Sequence, residues 1–160
     1  MLHTEFEQFL GSWSFIRGMT KDFVKATPNE FWEISPLPNV SSIAKQVRHL
    51  ICVSGTYSRA LATGKMSLTG KHDFYRGSLG REELLVALEK SDLDLLAALR
   101  AIEPGKVADY RIDFFGGEIS FAEFTHVMIQ HESIHQGLWG AYARAAGFPT
   151  PESWTTNWKL

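Results

Sequence analysis

The residues in this chain best suited to chemistry are two histidines in one short run, His131-Glu132-Ser133-Ile134-His135. In a helix, a four-residue offset leaves two side chains about 40° apart on one face. At about 100° per residue, Phe124, Val127, Leu138 and Tyr142 share that face, so the pair is expected to point into a core. Two neutral imidazoles buried side by side gain little from each other, whereas a divalent ion takes a lone pair from each. The alternative, two partly buried histidines with ordinary hydrogen bonds, suits a lone histidine better than a pair at this spacing. A metal site needs further ligands. His49 is the best candidate, since it lies beside Leu50 and Val53 on an element expected to pack internally, although alone it fits a structural role equally well. His126 stands five residues before His131, a rotation of about 140° that turns it away. His3 is near a terminus, and His72 sits among Lys71, Asp73 and Arg76, where exposure is expected, so neither is assigned to the site.

Two nearby groups carry competing readings. Glu132 lies about 100° off the face of His131, so it either orients a ligand and serves as general base or is a solvated surface charge. Cys52, three residues after His49, could approach a metal, but a free cysteine is more commonly a small buried hydrophobe. The five residues His131 to His135 also match the zinc-protease pattern of two helical histidines with an intervening glutamate. The extended form of that pattern requires Gly at 138 and His at 141, where this chain has Leu138 and Ala141. A downstream glutamate as third ligand leaves only Glu152, in a proline-flanked tail without helical pattern, so a protease is a weak reading.

Four amphipathic segments must position these residues. Phe6, Phe9, Leu10, Trp13, Ile16, Phe23 and Val24 predict a first helix over 4–25, closed by Pro28. Residues 27–40, with Pro28, Pro36 and Pro38, read as a connecting loop. Ser41 or Ser42 then caps a second helix running to about Thr63 and containing His49. A glycine-containing crossover, 64–80, leads to a third helix marked by Leu84, Leu85, Leu88, Leu95, Leu96, Leu99 and Ile102 and ended by Pro104 and Gly105. Tyr110 to Ser120 alternates around Gly116 and Gly117 and reads as a small hairpin turning at that glycine pair. Ser120 with Glu123 forms a capping-box spacing that opens a fourth helix, ended by Gly147 and Pro149. The expected fold is all-α, a four-helix bundle with a long crossover between helices two and three and a hairpin before helix four.

Composition narrows the function classes. The chain has 160 residues and 44% hydrophobic content, enough for one domain over 1–160 with a core that needs no staple. Its single cysteine, Cys52, allows no internal disulfide and fits a reducing compartment, the cytoplasm. Glu5 and Glu7 stand where a signal peptide needs positive charge, and no apolar run approaches the roughly 18 residues of a membrane span. With 16 basic and 18 acidic residues, a net charge of −2 and no clustered Lys and Arg, nucleic acid is not an expected partner. The five Trp and eleven Phe are read as core filling rather than recognition.

Across almost its whole length the chain resembles the DinB/YfiT-like family of metal-dependent four-helix proteins. The resemblance rests on SSIAKQVRHL around His49, HESIHQG on the fourth helix, and AGFPTP after ARA, with the Gly-Gly hairpin just before the last helix. It implies His49, His131 and His135 as ligands of nickel or zinc with water completing the shell, and a homodimer. Family members often carry an acidic residue shortly after the first histidine and Arg-Gly-Gln after the last. This chain has Ser54 in the first region and Gln136, Gly137 and Leu138 in the second, which leaves the ligands intact and bears on substrate chemistry. The family name implies no DNA binding. Relatives include transferases that join bacillithiol, mycothiol or glutathione to electrophiles.

A three-histidine site with open positions lowers the pKa of bound water or stabilises a thiolate. The leading expectation is a thiol S-transferase acting on a small electrophile, with Trp139 and Tyr142 lining the approach unless they are simply core. The alternatives are a hydrolase using metal-activated water with Glu132 shuttling the proton, and a non-enzymatic bundle that binds metal or a small ligand.

Overall fold

The computed structural model describes residues 4–35 and 38–159. Those residues are mostly helical. The long elements are α1 (Thr4–Ala26), α3 (Ile43–Thr63), α4 (Arg81–Arg100) and α5 (Phe121–Ala146), with short helices α2 (Asn29–Trp32) and α6 (Glu152–Trp158). Each long helix stands within a few residues of its expected limits. Ser42 caps α3, its side chain accepting from the Lys45 amide at 3.4 Å, and Gly64 ends it in the left-handed region at φ 69°, where a Cβ would be strained. The Ser120–Glu123 capping box opens α5, and Gly147, at φ 78°, closes it.

The expected all-α class needs a small sheet added. Strands β1 (Lys65–Met66), β2 (Arg111–Phe114) and β3 (Gly117–Ser120) lie in that order, β1 parallel to β2 and β2 antiparallel to β3. The hairpin was expected to turn at Gly116 and Gly117, but it turns one residue earlier. Phe115 (φ 57°) and Gly116 (φ 93°) are the left-handed pair, while Gly117 already pairs with Phe114. Positive φ at both positions is the two-residue hairpin loop whose twist matches the strands, and the Asp113 carboxylate holds it by accepting from the Gly116 amide at 2.8 Å.

Two further corrections concern segments expected to lack structure. The loop at 27–40 contains α2, which buries Trp32 with its indole N–H donating to the Leu79 carbonyl at 2.8 Å; Pro36 of that loop lies outside the described residues. The tail around Glu152 forms α6. Its Trp154 stacks on Phe23 at 4.8 Å between ring centres and donates to the Met19 carbonyl at 2.9 Å. Helices of one or two turns are too short to show a period, so tertiary burial rather than local pattern makes them.

The side chains of the long helices build two apolar clusters. One holds Ile16 of α1, Val53 and Tyr57 of α3, Leu95 of α4 and Met128 of α5. The other holds Met19, Leu50, Leu88 and Trp139 of the same four helices. Near the junction of the two clusters each helix carries polar residues: Arg17 on α1, His49 and Ser54 on α3, Ser91 and Asp92 on α4, and His131, Glu132, His135 and Gln136 on α5. The site is a polar layer between two cores. Among the described residues, no helix is long and apolar enough to cross a membrane.

Candidate metal centre

His49 projects from α3, and His131 and His135 from consecutive turns of α5. Their ring centres form a nearly equilateral triangle, 5.2 Å from His49 to His131, 5.3 Å from His49 to His135 and 5.0 Å from His131 to His135. Each offers one ring nitrogen, and these nitrogens lie within 4.8 Å of one another. His49 Nε2 and His131 Nε2 are 3.2 Å apart. Two imidazole nitrogens each about 2.0–2.1 Å from a tetrahedral ion would stand roughly 3.3 Å from each other, so the spacing suits a shared ion.

The electrostatics suit one too. Burial, with the charges of His49 and Arg17, brings His131 down to about 4, and burial, with those of His131 and His49, brings His135 down to about 3. His49 is lowered by burial, then by Lys71 and His72. Near neutral pH all three rings are therefore uncharged and keep a lone pair for a cation, the chemistry a divalent transition metal requires. The donor set is compatible with metal binding.

Behind His135 lies a residue that the sequence reading missed. Gln46 Oε1 sits 2.9 Å from His135 Nδ1 and accepts from the Trp139 indole at 3.1 Å. Its amide nitrogen donates to the Ser41 carbonyl at 2.7 Å and to the Tyr142 hydroxyl at 3.1 Å. The signal was present: Gln46 precedes His49 by three residues, about 60° around the helix, so a polar side chain fell on the inward face.

Trp139 and Tyr142, expected along an approach to the metal, are both 0% exposed and are the supports of Gln46. A side chain without accessible surface lines no approach, so core packing is their place. Glu132 is neither a surface charge nor poised over the histidines. It is 1% exposed and accepts from Arg17 Nη1 at 3.1 Å and from the Thr20 hydroxyl. Burial raises its pKa, opposed by the Arg17 charge and the Thr20 hydrogen bond. Arg17 is itself buried, donates to Ser54 Oγ at 2.7 Å and holds Nε 3.0 Å from Asp92 Oδ1 as an ion pair. The rotation of about 100° that takes Glu132 off the metal face turns it onto α1.

The remaining candidates stand apart. Cys52 is buried with its thiol 3.9 Å from the Tyr75 carbonyl, and burial raises its pKa. His72 and His126 are exposed, as expected, and His3 lies outside the described residues. A cleft of about 750 Å³ opens between α3 and α4, lined by Ile51, Gly55, Phe74 and Val86. Ile51 and Gly55 are more than about 100° around α3 from His49, so this cleft is separate from the histidine triangle.

Comparison with known proteins agrees with this architecture. A DinB-like protein from Bacillus cereus ATCC 10987 superposes with a TM-score of 0.71 at 19% identity, covering 91% of this chain and 95% of its own. A DinB-like protein from Bacillus subtilis gives 0.72 at 16% identity, covering 90% and 95%. At such identities the likeness is one of fold. No curated protein matches the chain. The sequence model of the DinB superfamily matches residues 12–138, a stretch that includes all three histidines, and the chain belongs to that superfamily.

Proposed function

We propose that this protein is a metal-dependent enzyme, a thiol S-transferase acting on small electrophiles, with His49, His131 and His135 holding one nickel or zinc ion. The observation that carries the reading is the triangle of neutral imidazoles, with nitrogens within 4.8 Å of one another. When bound, a divalent ion there supplies positive charge that stabilises the thiolate of a low-molecular-weight thiol such as bacillithiol, mycothiol or glutathione. The chain's own residues orient the site. Gln46 Oε1 faces His135 Nδ1 at 2.9 Å, and Arg17 pairs with Glu132.

Metal-dependent hydrolysis is the second reading. It needs a proton carrier beside the metal, and Glu132, the carboxylate suggested for that part, is engaged by Arg17 and Thr20 inside the polar layer. That engagement favours the thiol chemistry. We further read α1, α3, α4 and α5 as a four-helix bundle in one domain over 1–160, working in the cytoplasm on a small-molecule substrate. Homodimerisation fits the exposed aromatic pair of Phe15 and Trp158, whose ring centres are 6.2 Å apart.

Elemental analysis of untagged protein tests the site, and conjugation assays test the reaction. About one transition-metal ion per chain, lost in the His131→Ala, His135→Ala variant, is expected, together with turnover of an aryl halide only when metal and thiol are both present. Turnover in water without thiol would favour the hydrolase. Wild-type protein that takes up neither zinc nor nickel would overturn the metalloenzyme reading.

A further inference from the structure

The hydrogen bonds around Gln46 have only one consistent direction. The Trp139 indole N–H can only donate, and it lies 3.1 Å from Gln46 Oε1. The Ser41 carbonyl can only accept, and it lies 2.7 Å from Gln46 Nε2. The two ends therefore fix the same orientation of the side-chain amide, with oxygen toward Trp139 and His135. An amide oxygen accepts and never donates, so the contact of 2.9 Å to His135 Nδ1 requires the ring hydrogen to sit on Nδ1. In a neutral imidazole the lone pair is then on Nε2. His49 and His131 face each other through the same ring atom, Nε2 to Nε2 at 3.2 Å.

We propose that Gln46 is the positioning residue of the metal centre: held by Trp139 and Ser41, its amide oxygen locks His135 in the Nδ1–H tautomer, so that Nε2 faces the ion shared with His49 and His131. The inference deepens the metal-site reading and rests on it for its consequence, although the tautomer itself is a property of the metal-free protein. Without the acceptor, the His135 ring is free to rotate or to place its hydrogen on Nε2, and either removes one of three ligands from the triangle. A group that orients a metal-binding histidine in this way commonly contributes about 10–100-fold in metal affinity.

Two substitutions at Gln46 separate positioning from packing. Gln46→Leu removes the acceptor and the donor together. Gln46→Glu keeps an oxygen for His135 and Trp139 but sets a second oxygen against the Ser41 carbonyl, so it should lose stability while keeping the tautomer. The experiment measures zinc affinity by competition with a chromophoric chelator, thermal stability of each metal-free protein, and the nitrogen-15 shifts of the His135 ring without metal. The expected result is the Nδ1–H signature in wild type and Gln46→Glu, its loss in Gln46→Leu, and zinc affinity reduced about 10–100-fold in Gln46→Leu alone.

Equal affinity losses in both variants, following their stability, would reduce Gln46 to a packing residue and overturn the proposal. So would an Nε2–H signature in wild type, or wild-type affinity in Gln46→Leu. If wild type binds no zinc, the metal reading fails separately, and the nitrogen-15 spectrum of the metal-free protein still decides whether Gln46 sets the tautomer.

Discussion

Arg17 and Glu132 form a salt bridge inside the protein, each with a side chain only 2% exposed, 3.1 Å apart. Removing Arg17 leaves the buried Glu132 carboxyl without its cation, which costs far more than the pair contributes as a whole. Arg17→Ala is therefore expected to destabilise by about 3–5 kcal/mol in urea titrations. Glu132→Gln should cost less, because an amide oxygen still accepts from Thr20 and Arg17 keeps Ser54 and Asp92. Equal and small losses in both variants would show that the charges are hydrated. The histidines give a second expectation at this scale. Their folded pKa values lie below the ordinary 6.5, to about 4 for His131 and about 3 for His135, so below pH 6.5 the unfolded chain binds protons that the folded chain refuses. Their effect on stability is thus nil above that pH and unfavourable as pH falls from 6.5 toward 4. Thermal melts of chelator-treated protein should show the midpoint dropping over that window, more steeply than in the His131→Ala, His135→Ala variant. Parallel slopes for the two proteins would sink the assignment.

Among the elements, α5 depends on its ends as well as its buried face. The Ser120 side chain accepts from the Glu123 amide at 3.2 Å while the Glu123 carboxylate accepts from the Ser120 amide at 2.7 Å. Ser120→Ala should cost about 1 kcal/mol, the usual worth of an N-cap. Helix α6 is held differently, by a single large side chain. Trp154 is 1% exposed and stacks on Phe23, and Trp154→Ala is expected to cost about 3–5 kcal/mol and to increase hydrogen exchange along 152–158. A loss below 1 kcal/mol would mean that the core closes over the vacancy. These two elements also show what a sequence can reveal. The capping box was legible because it is local, whereas α6 was invisible because its stability comes from Phe23 and Met19, more than a hundred residues away in sequence.

For the molecule as a whole, the histidine triangle ties α3 to α5 within the polar layer that separates the two apolar clusters. An ion bound there stabilises the folded chain by linkage, about 2.7 kcal/mol when free metal exceeds Kd a hundredfold. For a chain of this size that is roughly a 5–10 °C rise in Tm on adding zinc or nickel to metal-free protein. The rise should vanish in the His131→Ala, His135→Ala variant, and a persisting rise would place the stabilising ion elsewhere. The sequence by itself determined the four long helices, the N-cap of α3, both caps of α5 and the inward face of His131 and His135, because helical periodicity and capping are encoded within a few neighbouring residues. It also singled out His49, as a candidate by its position on the helix and as a ligand by the resemblance to the DinB/YfiT-like family. Tertiary structure alone decided that His49 reaches the other two, that Glu132 turns to Arg17, that Trp139 and Tyr142 support Gln46, and that Lys65 and Met66 pair with β2. Each of those outcomes depends on which helix lies against which, and that is set by the summed packing of two cores rather than by any local stretch of chain.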